Sequence, residues 1–268
     1  MKLGVLGSNG MLGSAVVRYF IKNKIPFSKI DDRFDVDHAS DFIGKVNQLQ
    51  LDFLINCIGS IPQKNRDALE FATTNTMLPA YLVEHTNCFV IQPSTDCVFL
   101  AKDRGEEGFP SCQTPFSSND MYGISKAVGD MVVGNSGSGL VVRASIIGLT
   151  EDNSSHGLLD WIVQNRHGKI DGFDNHFWNG ITTDAWIHWV YRNVISKNLG
   201  PKMTGITHLG ASDYMSKYEI IVLLNELMSL DIDIKKTTNE QSSDRRLLVS
   251  EPLGTIKELI NDTIKFWS

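Results

Sequence analysis

The segment Met121-Tyr122-Gly123-Ile124-Ser125-Lys126 places a phenol and an ammonium four residues apart. On a helix that spacing puts both groups on one face. A lysine beside a phenol lowers its pKa, and a tyrosine so poised can donate a proton to a carbonyl or remove one in reverse. About 27 residues upstream, Ile91-Gln92-Pro93-Ser94-Thr95-Asp96-Cys97-Val98-Phe99 runs from a strand pattern into hydroxyl groups. Parallel sheets place ligand-facing residues at such strand ends. A hydroxyl there can hydrogen-bond a carbonyl and orient it beside Tyr122. Each motif alone has a plainer reading: Y-x-x-x-K also describes a solvated helix face, and Ser-Thr-Asp also caps helices.

A third motif, Gly7-Ser8-Asn9-Gly10-Met11-Leu12-Gly13, follows a short apolar run and opens an amphipathic one. Without side chains, such a turn can bend tightly, let a pyrophosphate approach the backbone and let the helix pack close to the strand. The helix N-terminus then offers unpaired N–H groups and partial positive charge to phosphates. A dinucleotide cofactor is therefore expected at this turn. The spacing is G-x-x-G-x-x-G, not the G-x-G-x-x-G of two-domain dehydrogenases.

These groups need a scaffold, and short apolar runs alternating with amphipathic stretches supply one. Strands are predicted at 3–6, 51–57, 88–93 and 139–143, with helices at 11–22, 73–84 and 122–133 between them. This alternation points to an α/β fold, a doubly wound parallel-sheet Rossmann domain with a small C-terminal substrate lobe. After residue 150 the texture changes to Asn, Gly, His and Asp, then returns to a helix at 183–196, a strand at 206–209 and a helix at about 216–228. The expected division is 1–150 plus about 181–200 for the cofactor domain, and about 151–180 with 201–268 for the smaller lobe.

The bulk numbers narrow the classes. A net charge of −6 over 268 residues disfavours nucleic acid as the main partner. No stretch is long and apolar enough to suggest a membrane span. The chain enters a strand pattern at its first residues, so no signal peptide is expected. Cys57, Cys88, Cys97 and Cys112 show no C-x-x-C spacing. Scattered thiols of this kind suggest a reducing, cytoplasmic setting. His156, His167, His176 and His188 have no ligand spacing, so no metal is expected. Trp186 and Trp189, at helical spacing, read as core, whereas Trp178 in Phe177-Trp178-Asn179-Gly180 is the better ligand contact.

Together the glycine turn, the Ser-Thr-Asp segment and Tyr122 with Lys126 resemble the extended short-chain dehydrogenases/reductases that act on nucleotide sugars. The dTDP-4-dehydrorhamnose reductase family is the nearest in pattern. The resemblance runs through most of the chain. Asp35-Val36-Asp37 looks like the family's acidic segment over the adenine, Asn56-Cys57-Ile58-Gly59 like its strand end beside the cofactor, and Asn75 like the residue opening its next helix. Val142-Arg143-Ala144-Ser145 resembles the strand toward the nicotinamide, and Ser243-Asp244-Arg245-Arg246-Leu247 the arginine-bearing substrate loop.

The resemblance implies NAD(P)H-dependent reduction of a 4-keto(-6-deoxy) nucleotide sugar in deoxysugar or surface-polysaccharide biosynthesis. Tyr122 is then the proton donor, Lys126 holds it acidic and Thr95 polarises the carbonyl. Gly7, Asn9, Gly10, Met11, Leu12, Gly13, Arg33, Asp35, Val36, Cys57, Ile58, Gly59, Asn75 and Lys126 fall to the cofactor. Asp96, Cys97, Ile146, Trp178 and Arg245 fall to the substrate. Asp31 and Asp32 could hold a ribose 2′-OH, as NAD(H) requires, and Arg33 a 2′-phosphate; NADP(H) is favoured over NAD(H). Arg245 and Arg246 read equally as a diphosphate clasp and as solvated arginines. A homodimer is possible.

Three departures lie on the substrate side. Cys97 stands where the family has an aromatic residue, Ile146 where rhamnose-type enzymes carry tryptophan, and residues 60–66 differ from the usual loop. The chemistry is thus better specified than the sugar. A nucleotide-sugar epimerase on the same fold stays open, as does a non-catalytic NAD(P)-binding regulatory subunit. Against the latter stand Thr95, Tyr122 and Lys126, all present. A dehydratase is disfavoured because Cys97 follows Thr95-Asp96 where a glutamate would be expected.

Overall fold

In the computed structural model, residues 1–63, 67–101, 104, 106–115, 120–149 and 157–267 are described. Strand β1 (Leu3–Leu6) enters helix α1 (Met11–Lys22), followed by β2 (Ser28–Ile30), α2 (Ala39–Gln48) and β3 (Phe53–Asn56). Helix α3 (Ala68–Ala72) continues through one wide turn, Thr73–Met77, into α4 (Leu78–His85). Then come β4 (Phe89–Ser94), α5 (Met121–Asn135) and β5 (Gly139–Arg143). The rest of the chain adds β6 (Ile146–Ile147), α6 (Leu158–Gln164), β7 (Lys169–Phe173), β8 (His176–Trp178), β9 (Ile181–Thr182) and α7 (Thr183–Val190). It ends with β10 (Gly205–His208), β11 (Met215–Ser216), α8 (Lys217–Met228), β12 (Asp233–Thr237), β13 (Ser243–Asp244) and α9 (Ile256–Trp267).

Strands β1, β3 and β5 are buried along their whole length. Helices cover both faces of a parallel sheet, so such strands read as continuous apolar runs and not as alternating ones. The sheet has six strands, in the order β2-β1-β3-β4-β5-β10, and every neighbouring pair is parallel. On one face Val16, Val17 and Phe20 of α1 pack with Trp186, Ile187 and Val190 of α7. On the other, Phe42, Val46, Leu78, Leu82 and Val133 come from α2, α4 and α5. A third core gathers Leu159, Ile170, Ile220, Leu224, Ile256 and Ile260 around the parallel pair β7–β12.

The predicted doubly wound α/β fold is thus the observed one. Two elements differ from expectation. The helix expected at 73–84 starts at Ala68, because the Asp67 carboxylate accepts from the Leu69 N–H at 2.9 Å and caps an earlier turn. Gly205–His208, expected within the smaller lobe, is the edge strand of the central sheet, with Ile206 opposite Val141 and His208 opposite Arg143. That pairing satisfies the free edge of β5 across about sixty intervening residues, a contact that no local pattern encodes.

Candidate active site

Strand order reverses between β1 and β3, and a parallel sheet opens a crevice beyond its strand ends at such a point. A cavity of about 290 Å³ lies there, lined among others by Gly7, Asn9, Gly10, Arg33, Ile58 and Gly59. The turn is built by its glycines. Gly7 has φ +70°, and a Cβ on Gly13 would stand 2.0 Å from the Gly7 carbonyl oxygen. Neither position admits a side chain without moving backbone. Gly10 is different, since a Cβ there would stop 3.6 Å from the Gly7 oxygen, an ordinary contact. The fold therefore does not itself require glycine at position 10.

Helix α1 carries no side-chain cap and no acidic residue in its first turn. By contrast Asp120, Thr182 and Ser216 cap α5, α7 and α8. Its open N–H groups and the bare Gly10 face the same crevice, which fits a pyrophosphate. Met11 and Leu12 form the first turn of α1 and are half-buried.

The acids expected near a ribose are engaged by protein groups. The Ser8 hydroxyl donates to Asp31 Oδ1 at 2.5 Å, and Lys45 pairs with Asp32. Among the described residues Arg33 pairs with Glu70, at 3.7 Å, and its side chain is 88% exposed over the cavity. Asp35 accepts from the Asp37 N–H at 3.0 Å and lies 3.6 Å from His38, while Val36 packs on the second core. Phe34, next to them, lines the cavity instead.

The far wall is held by buried amides. Asn56 Nδ2 donates to Gln92 at 2.8 Å and its Oδ1 accepts from the Ile58 N–H at 3.3 Å, which fixes the path through Cys57, Ile58 and Gly59. Burial pushes the Cys57 thiol up to about 12, so it stays protonated. Asn75 sits in the wide turn of the α3–α4 helix. Its Oδ1 accepts from the Ser60 N–H and its Nδ2 donates to the Ser60 carbonyl, both at 3.0 Å, and also to Ser125 at 3.1 Å. Its side chain is spent tying the 58–60 loop to α5.

The catalytic candidates meet at the end of β4. The Thr95 hydroxyl donates to Asp96 Oδ1 at 3.0 Å and accepts from the Cys97 N–H at 3.2 Å, and it lies close enough to the Tyr122 phenol to influence its titration. Asp120 caps α5 by accepting from the Tyr122 N–H at 3.0 Å, so the phenol rides on the first turn of a fixed helix. Lys126, one turn on, is buried and donates from Nζ to the Pro93 carbonyl at 2.7 Å. Burial raises the phenol above its ordinary range, the Cys97 thiol adds to the shift, and the Thr95 hydroxyl opposes it. Burial lowers Lys126, and Asp130 opposes that. The lysine was expected to make the phenol acidic, but in the protein burial governs both groups and the phenol stays protonated.

On the substrate side, burial raises the Asp96 carboxyl, against the pull of Arg245 and of hydrogen bonds from Thr95 and Ser145. The Cys97 thiol is pushed up to about 12. Arg245 belongs to the same electrostatic neighbourhood, and its buried Nε has no hydrogen-bond partner. Arg246 is paired with Asp244 at 2.8 Å and stacked 3.7 Å over Tyr214, so it is a structural arginine. Ile146 packs against the first core, and Trp178 against the third.

Sequence reasoning missed Ser145 and Lys217, both coupled to this group. It also missed the buried roles of Asp130, Arg143 and His208; only Asp130, four residues after Lys126, had a spacing that signalled it. His167, His176 and His188 lie in separate places, beside Asp231, the Gln241 carbonyl and Tyr19. His156 lies outside the described residues, as do residues 64–66 of the substrate-side loop. Among the described residues no group of three or more His, Cys, Asp or Glu could hold a metal ion. No helix among them is long and apolar enough to cross a membrane.

Solved structures share this fold along the whole chain. A dTDP-4-dehydrorhamnose reductase from Clostridium acetobutylicum superposes with a TM-score of 0.80 at 18% identity, covering 100% of this chain and 99% of that one. The dTDP-4-dehydrorhamnose reductase from Bacillus anthracis, in complex with NADP, gives 0.82 at 15% identity, covering 99% of each. The UDP-glucose 4-epimerase from Thermotoga maritima, with UDP-glucose, gives 0.77 at 16%, covering 100% of this chain and 98% of that one. At such identities the likeness shows the fold alone. A search of curated protein sequences returns no match. The sequence does match a family profile over residues 3–151, more than half its length, which takes in the glycine turn, Thr95, Tyr122 and Lys126, and the chain therefore belongs to the NAD dependent epimerase/dehydratase family.

Proposed function

We propose that this protein reduces a 4-keto(-6-deoxy) nucleotide sugar with NADPH, as an enzyme of deoxysugar or surface-polysaccharide biosynthesis. The carrying observation is that Lys126 Nζ, donating to the Pro93 carbonyl at 2.7 Å, ties α5 to the end of β4 and so brings the Tyr122 phenol to Thr95. Two hydroxyls brought together in this way can hold a ketone oxygen between them. Thr95 orients the carbonyl, and Tyr122 gives its proton as the oxygen gains negative charge. A phenol held above its ordinary pKa arrives protonated, as a donor must. Lys126 supplies a fixed positive charge one turn away. Gly7, Gly10 and Gly13 with the start of α1 would hold the pyrophosphate, and Ile58 and Gly59 the opposite wall. When bound, the nicotinamide supplies the hydride.

The proposal divides the chain into residues 1–150, about 181–200 and β10 for the cofactor, with the remainder forming the substrate lobe. Its test is NADPH oxidation against 4-keto-6-deoxy sugars carried on dTDP, GDP, UDP and CDP. Steady consumption with one of them supports a reductase. Interconversion of a sugar without net oxidation supports an epimerase, and cofactor binding without turnover supports a regulatory subunit.

NADPH is favoured because Asp31 and Asp32, though they line the cavity, already hold Ser8 and Lys45. The 88% exposed Arg33 side chain, by contrast, has a long 3.7 Å contact with Glu70 to give up for a phosphate. Arg33→Ala is expected to weaken NADPH by roughly tenfold, the worth of one charge-assisted contact to a phosphate, while NADH binding stays unchanged. Fluorescence titration with each cofactor checks this. Equal losses for both would remove the assignment.

A further inference from the structure

Beneath Tyr122 lies a buried charge cluster that donates nothing directly to a substrate. Lys126, Asp130 and Arg143 are 7%, 1% and 0% exposed. Asp130 Oδ2 accepts from Arg143 Nε at 2.7 Å and from the Ser94 hydroxyl at 2.8 Å. A carboxylate serving only an arginine closes the fork, with two oxygens on two nitrogens. Here the fork is open. Asp130 Oδ1 and Arg143 Nη2 are both buried without a hydrogen-bond partner. Asp130 lies one helical turn beyond Lys126 on α5, as Lys126 lies one turn beyond Tyr122.

We propose that Asp130 is a positioning residue that keeps Lys126 protonated beside Tyr122, with Ser94 and Arg143 fixing its carboxylate. The inference rests on the reading of Lys126 as the charge that assists the proposed proton donation. Among the described residues, the groups around Lys126 leave no other candidate. On α5 itself stand Tyr122 and Asp130, and β4 offers the neutral Pro93 carbonyl and Ser94. The turn after β4 adds Asp96, which is engaged with Thr95 and Arg245, and Cys97, a protonated thiol. Burial raises the Asp130 carboxyl as well, but Arg143, Lys126 and the Ser94 hydrogen bond oppose that shift. The wide turn of the α3–α4 helix contributes Asn75 and Thr76, which do not titrate. Strand β5 contributes the cation Arg143. Strand β10 contributes His208, kept neutral by burial and by Arg143, which push it down to about 4. Asp130 is the carboxylate placed to offset the cost of burying the ammonium.

The experiment follows the Cε resonance of Lys126 with pH in protein carrying [ε-¹³C]lysine, with Lys126→Arg used to assign the signal. In the unaltered protein Lys126 is expected to carry its proton at the pH of the activity assay. In Asp130→Asn its midpoint falls by one pH unit or more, and Asp130→Glu restores most of the loss. The alkaline limb of kcat/KM moves down with it, because removing the carboxylate favours the uncharged lysine. Should Asp130→Asn not fold, the double variant Asp130→Asn/Arg143→Gln is compared with Arg143→Gln alone, and the Lys126 midpoint is lower in the double variant. A Lys126 already neutral at the pH of that assay, or an unmoved midpoint in a folded variant, overturns the proposal. The resonance is read without substrate, so a failure of the ketoreductase reading shows separately, as absent turnover with a shifted lysine.

Discussion

Tyr122→Phe is expected to lower kcat for the keto sugar by roughly 10²- to 10⁴-fold, the range that a positioned general acid contributes. Cofactor affinity stays unchanged. The substitution removes one oxygen and keeps the ring, whose tilted contact with Phe71, at 6.0 Å between centroids, survives. What disappears is the donor beside Thr95 at the end of β4. Thr95 can still bind the ketone oxygen, so KM changes less than kcat. Burial raises the phenol pKa, so the unaltered enzyme keeps its proton-donating form into alkaline pH. Any alkaline loss of activity then belongs to Lys126, which burial lowers. Stopped-flow NADPH oxidation across pH reads both effects. Full turnover by the phenylalanine variant would assign the proton to another group.

Gly13→Ala is expected to abolish measurable cofactor binding and to destabilise the fold, whereas Gly10→Ala costs cofactor affinity alone. At position 13 the new methyl would lie 2.0 Å from the Gly7 carbonyl oxygen, and backbone cannot yield as a side-chain tip can. The turn must open, and overpacking of this kind costs about 1–3 kcal/mol. For a chain of this size that lowers the melting temperature by several degrees, about 2–4 °C for each kcal/mol. At position 10 the methyl meets nothing nearer than 3.6 Å, so the melting temperature holds. Isothermal titration and thermal unfolding of the two variants separate the roles. Normal NADPH affinity in Gly10→Ala would remove the pyrophosphate from that spot.

The parallel sheet was legible because β1, β3, β4 and β5, strands of four to six residues, each hold a short apolar run and are separated by helical patterns. The glycine turn was legible because both its neighbours were. Tyr122 and Lys126 share a helix, so their spacing alone put them on one face. What escaped notice was brought together by pairing across long separations. His208 meets Arg143 across 65 residues, and the Leu247 N–H meets Asn179 Oδ1 across 68. The small sheet β11-β8-β13 is made of strands of two and three residues, too short for any period to show. Lys217 reads in sequence as the start of an amphipathic helix, and only the fold sets it beside Arg245 and Cys97.

The return of β10 to the central sheet bears on how the molecule can be divided. The family match ends at residue 151, yet α7 lies further along and sets Trp186, Ile187 and Val190 against Phe20 and Val142. A chain cut after that match would present Val16, Phe20, Leu140 and Val142 to water, with the edge of β5 unpaired. Such a fragment would associate with itself and not stand as a free cofactor module. The matched segment and the packed sheet therefore have different ends, and the sheet is complete only with β10.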